Sequence, residues 1–405
     1  MAKRTIPVTP KLPTLQDIAN SVSEAEYRQA IAQPKKVMED WDKFKKSRGG
    51  GAGLTMISDI DPEARSTNLK IAKNANHPSE LVRATHQMSM SLANADTSGV
   101  FEGCHGCRTP ECTALCNSHS GHYGMEKGTA NRAKQVRSAY WAENPQFAGA
   151  LAVIQSRRGA RAAREIGMIP AMRSNMWTDV PWHKTTLAGP WIADFEGKGS
   201  TDSEAIGLAK DHPLMTHMNY TKEKMNRVLR PGEKEPEADA PSNYYLTGSI
   251  SEQTPTKRVQ QRHDAGLTTQ AALWLGKDEP KPERWVMRDP HGNEAEFDLY
   301  DADNTDARMH DVARGFAGKT GGLTVKRTAG LKTMEGSATE SSFVRPVRPD
   351  IPVGQPGGIP KQYASPDVIQ RQSAVSRIIG NSQQGASSRV RNNMSGQQFQ
   401  FGESE

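Results

Sequence analysis

Four cysteines fall within thirteen residues: Cys104, Cys107, Cys112 and Cys116, spaced C-x2-C-x4-C-x3-C, and the chain has no others. A chain that uses cysteine nowhere else has little packing reason to crowd four thiols together. Thiolates that converge on one point make a metal site. The spacing therefore predicts a metal loop with all four as candidate ligands, holding a [4Fe–4S] cluster or Zn2+. Two local disulfides are the competing reading. Disulfides belong to secreted proteins, and the N-terminus, Met1-Ala2-Lys3-Arg4-Thr5-Ile6-Pro7, has basic residues with no apolar run behind them. No signal peptide is expected. No window approaches the roughly eighteen apolar residues of a membrane span. The expected location is a reducing cytoplasm, which favours thiolate–metal chemistry.

Hydrophobic residues make up 35% of the 405 and aromatics 6%, with a mean hydropathy of −0.71. Those values leave one modest core and imply disordered segments. Residues 1–54 read as a polar arm, with a flexible hinge at Lys45-Lys46-Ser47-Arg48-Gly49-Gly50-Gly51. Residues 55–332 read as a metal-binding α/β domain, and 333–405 as a disordered tail, since Val353–Pro360 has no period that could build a core. The formal charge is +6, and residues 126–164 alone hold eight basic side chains against two acidic ones. That segment predicts an anionic partner: a phosphate, a nucleotide or nucleic acid. Solvated helix faces would carry the same charges.

Periodicity predicts helices over 23–32, from Pro34, over Pro78–Ala95, from Thr129 and from Pro145. Short apolar segments then recur, each running into polar residues: Ile169–Asp179, Leu214–Lys222, Asn243–Glu252 and Glu296–Asp303. Helical stretches at Ser203–Lys210, Thr221–Leu229 and Pro255–Ala265 separate them. Strands alternating with helices predict an α/β fold, barrel-like or an open parallel βα sheet, with an N-terminal cysteine loop and disordered tails. Chemistry in such folds sits at the carboxyl ends of strands. That rule selects Arg173, Asn175, Asp179, Lys222, Ser249, Glu252, Asp301 and Asp303, each of which also suits an ordinary cap or turn.

These residues carry a family resemblance. Cys107-x4-Cys112-x3-Cys116, a basic helix, Arg173…Asp179-Val180-Pro181-Trp182, Tyr220-Thr221-Lys222, Ser249-Ile250-Ser251-Glu252 and the acidic stretch Asp301–Arg308 before Gly315 to Leu323 follow one another. In that order, over roughly 100–332, the chain resembles the gene-product-88 family of bacteriophages, whose function is unknown. Asn117 replaces the family's usual aromatic, Cys104 is an addition, and no second cysteine cluster follows Cys116. The resemblance implies a host-cytoplasm location. In outline the family is similar to radical S-adenosylmethionine enzymes, although their C-x3-C-x2-C spacing is absent here.

Three function classes follow. One is an iron–sulfur enzyme acting on an anionic or nucleotide-like substrate. Arg173 and Lys222 would hold the anionic group, Asp179 and Ser249 would line the cavity, and Glu252 would move protons. If only Cys107, Cys112 and Cys116 ligate, an open iron is left on which S-adenosylmethionine could bind. The second class is a zinc-stapled nucleic-acid-binding protein using the basic helices. The third is a structural or interaction protein with polar tails.

Overall fold

The computed structural model describes residues 12–64, 69–93, 98–104, 129–176, 178–195, 215–251, 253–273 and 281–324. The chain opens with three helices, α1 (Leu15–Asn20), α2 (Glu24–Ile31) and α3 (Pro34–Ser47). Reciprocal capping boxes start the first two. Thr14 and Ser23 accept the amides of Asp17 and Glu26, whose carboxylates accept the cap amides in return. Pro34 starts the third, its fixed φ suited to a first turn.

These helices correct the expected polar arm. Leu15, Tyr27, Val37 and Trp41 are fully buried in the main core. The basic hinge is tied down as well. Lys45 Nζ donates to the Ala52 and Leu54 carbonyls, and the Arg132 guanidinium to the Arg48 carbonyl. Lysine and arginine stems bury while their charged ends find carbonyls, which charge counting along a sequence does not show.

Among the described residues nine strands form one open sheet in the order β1-β2-β3-β4-β5-β6-β9-β8-β7. They are β1 (Ile57–Ser58), β2 (Thr85–Met90), β3 (Ile169–Arg173), β4 (Thr216–Thr221), β5 (Tyr244–Ser249), β6 (Thr269–Leu273), β7 (Arg284–Arg288), β8 (Glu294–Asp301) and β9 (Thr320–Thr324). The two end strands pair antiparallel and every other pairing is parallel. Short helices α4 (Leu69–Ala72) and α5 (Glu80–Arg83) precede β2.

The predicted helix over Pro78–Ala95 is thus one turn followed by a strand. Both faces of β2 are buried, so Thr85-His86-Gln87-Met88-Ser89-Met90 shows no polar–apolar alternation to mark it. The helix expected over Thr221–Leu229 is replaced by the loop after β4. The one over Ser203–Lys210 lies outside the described residues.

From β2 to β6 the strands advance in one direction. Right-handed crossovers then place their connections on one face, here called outer. That face carries α6 (Thr129–Glu143), α7 (Pro145–Glu165), α8 (Ala188–Trp191) and α9 (Thr256–Asp264). Ala148 to Val153 of α7 are all buried, so the first half of the helix is apolar around its circumference, while Arg158 and Arg161 expose one side of the second half. Gly149 lets α2 close on it: a Cβ there would lie 2.3 Å from the Tyr27 ring. The connection from β8 to β9 steps backwards in the sheet. The same handedness sends it across the opposite, inner face, where residues 302–316 form a strap.

His217 of β4 is fully buried on the outer face. Its Nε2 lies 3.1 Å from the Trp191 carbonyl, which can only accept, so Nε2 carries the proton; Nδ1 faces the Ser174 hydroxyl at 3.2 Å. Burial pulls its pKa down to about 3. The unfolded chain binds a proton there below about pH 6.5 and the folded chain does not, so stability falls as pH drops through that window. His217→Gln should remove about 1.4 kcal/mol per pH unit of that slope. Urea midpoints measured between about pH 6.5 and 4 check this; a slope unchanged in the variant contradicts it.

Candidate functional site at the carboxyl ends of the strands

The turn after β3 is built around Asn175. Its amide nitrogen donates to the Val180 carbonyl, and its carboxamide oxygen accepts from Thr178 Oγ1 and Trp182 Nε1, both within 2.9 Å. Its backbone N–H donates to Asn219 of β4, whose own amide donates to the Tyr244 hydroxyl. Asn175 and Asn219 are buried, so this network fixes the turn rather than offering groups to solvent.

The same turn presents Asp179. Its backbone N–H donates to the Gly103 carbonyl at 2.8 Å, and its Oδ2 accepts the Lys222 N–H at 3.1 Å. Gly103 is a close approach, since a Cβ there would meet Thr178 Cγ2 at 2.9 Å. Cys104 follows directly. It is half-buried, with its N–H on Glu102 Oε1 at 3.0 Å. One cysteine, Asp179 and Lys222 therefore share one stretch of the rim. Cys107, Cys112 and Cys116 lie outside the described residues, as does Glu252. Among the described residues no group of three or more His, Cys, Asp or Glu is set to hold a metal.

The other predicted residues are distributed by strand register. Arg173 ends β3 on the inner face. It pairs with Asp306 of the strap at 2.8 Å, and its guanidinium lies 4.8 Å from the centre of the Tyr220 ring. Ser249 ends β5, opposite Gln270 of β6. Asp301 and Asp303 both engage Lys281, and Asp303 also accepts the Thr324 N–H, so these two serve the strand ends of β8 and β9.

The basic segment is divided. Lys134 and Arg137 of α6 are buried; Arg137 donates to the Thr55 and Ser91 carbonyls and to Ser58. On α7, Arg157 pairs with Asp194, while Arg158 and Arg161 are exposed. The charge count of residues 126–164 thus overstates the basic surface.

One buried polar assembly was not anticipated. Arg308 of the strap is fully buried against the inner face. It donates to the Tyr220 hydroxyl and to the Ala302 and Thr305 carbonyls, and pairs with Asp311 at 3.3 Å. Tyr300 donates to Asp311, Gln270 to Tyr300, and His310 meets Thr85 at 2.7 Å. Asp306 and Arg308 stand in the acidic stretch that the sequence singles out. Nothing in that stretch reveals that its charges turn inward, because the reason is the backward step of β9.

No curated protein and no solved structure matches this chain. Residues 63–341 match the family described as Gene product 88, and the chain belongs to that family. The radical S-adenosylmethionine outline gains no support from these comparisons. Among the described residues no helix is long and apolar enough to cross a membrane.

Proposed function

We propose that this gene product 88 protein binds a metal centre through Cys104, Cys107, Cys112 and Cys116, and that the centre is an iron–sulfur cluster at the rim of the parallel strands. One observation carries the reading: Gly103-Cys104 is hydrogen-bonded to Asp179, which in turn holds Lys222, so the start of the cysteine loop lies at the carboxyl ends of β3 and β4. Parallel sheets gather their chemistry at that edge. Lys222 supplies positive charge for an anionic or nucleotide-like substrate, Arg173 can add to it only by giving up Asp306, Asp179 and Ser249 line the rim, and Glu252 is the candidate for proton transfer. A three-thiolate cluster would leave one iron open, a place for S-adenosylmethionine. Four thiolates would close it.

Anaerobic purification from the bacterial cytoplasm tests the proposal. The protein should be brown and hold roughly four irons and four sulfides per chain, as a [4Fe–4S] cluster does. Cys107→Ser, Cys112→Ser and Cys116→Ser should each lose the colour. Cys104→Ser distinguishes the two forms: a retained cluster means three ligands, and a lost one means four. Stoichiometric zinc with no iron would favour the zinc-stapled nucleic-acid-binding reading. Neither metal would remove the metal site altogether and leave the interaction-protein reading.

A further inference from the structure

Gln87 occupies the middle of β2 on the inner face and is fully buried, yet neither its carboxamide oxygen nor its nitrogen has a hydrogen-bond partner. Buried carboxamides in folded proteins find partners, and one with both ends unsatisfied calls for something the chain itself does not supply. The surroundings say what kind of group. Register sets Ala171 directly opposite Gln87 on β3, and one rung higher Ser89 opposite Arg173. Ala171 packs with Met218 of β4 and with Ala307 and Met309 of the strap. The nearby charges are already matched, Arg173 by Asp306 and Arg308 by Asp311. An ion beside Gln87 would be buried without a counter-charge, which apolar neighbours do not tolerate.

We propose that the inner face beside Gln87, beneath the strap, binds a small neutral molecule with an amide-type edge, a donor next to an acceptor in one plane. A carboxamide reads such an edge with two parallel hydrogen bonds. A nucleobase and a second carboxamide both carry it. Entry requires the strap to lift. Its rim end is held by the Arg173–Asp306 pair, and at its other end Gly315, with Gly318 just beyond, takes φ of 85° (Gly318 67°), conformations that suit glycine. This inference does not rest on the metal reading.

The test is calorimetric titration of the full-length protein with uracil, cytosine and nicotinamide. At least one should bind saturably, and which one separates a base from a carboxamide. Gln87→Met keeps the volume but removes the unpaired amide. It should weaken that binding at least about tenfold while raising the Tm of the unliganded protein by a few degrees. If that variant does not fold, Gln87→Asn withdraws the amide by one methylene and should weaken binding by a similar factor. Absence of saturable binding by all three probes overturns the proposal. So does an affinity indifferent to Gln87, or a liganded-condition crystal structure in which ordered waters alone complete the Gln87 amide.

Discussion

Glu235→Ala should cost about 3–5 kcal/mol of stability, the usual loss when one partner of a buried ion pair is removed. Arg258 and Arg262 of α9 have fully buried side chains. Arg258 holds Glu235 through both guanidinium nitrogens at 2.5 and 2.6 Å. Arg262 reaches Glu235 at 3.0 Å and also pairs with Glu237. Removing Glu235 leaves Arg258 buried without its carboxylate. Urea denaturation should show a lower midpoint at unchanged slope. Burial pushes the Glu235 carboxyl up, but Arg258 and Arg262 together pull it below the usual range. Its contribution is therefore present above the unfolded pKa of about 4.3 and is lost as pH falls through the lowered folded value. Replacing Glu235, Arg258 and Arg262 together by Leu and Met should recover most of the loss, because the cost lies in the unpaired charge. A single variant as stable as the wild type would show that water reaches the arginines.

Arg308→Met should cost a similar amount, about 3–5 kcal/mol, and its effect should be local. Burial opposes the charge of Arg308, yet Tyr220, Asp311 and Tyr300 hold its pKa well above the ordinary value. Without the guanidinium, Asp311 keeps Tyr300 and Arg314 but loses its fully buried cationic partner, and the carbonyls of Ala302 and Thr305 lose their donor. Hydrogen exchange should accelerate across 302–316 well before it does in α7. Uniform acceleration through both segments would mean that the strap and the helical layer unfold as one unit.

Much of the outer layer was legible in the sequence. Pro145 at a first turn and the small, apolar run that follows specify α7 by local rules alone. The strand ends at Arg173, Lys222 and Ser249 were legible for the same reason, since each apolar run stops where its polar residues begin. β2 was not, because a strand buried on both faces carries no alternation. The helical character of 12–47 was half legible: two capping boxes mark the starts, but the basic side chains that suggested a mobile arm end on carbonyls supplied by distant turns.

The four cysteines determine a metal-loop hypothesis by themselves, since thiolate chemistry depends on ligand type and spacing within one short segment. The inner face belongs wholly to tertiary structure. Whether Asp306, Arg308 and Asp311 meet water or one another is set by where β9 enters the sheet, more than a hundred residues from Arg173 and β2 in sequence. Local propensity governs an element; the handedness of a crossover governs which face its neighbours occupy, and that second rule acts only once the strand order exists.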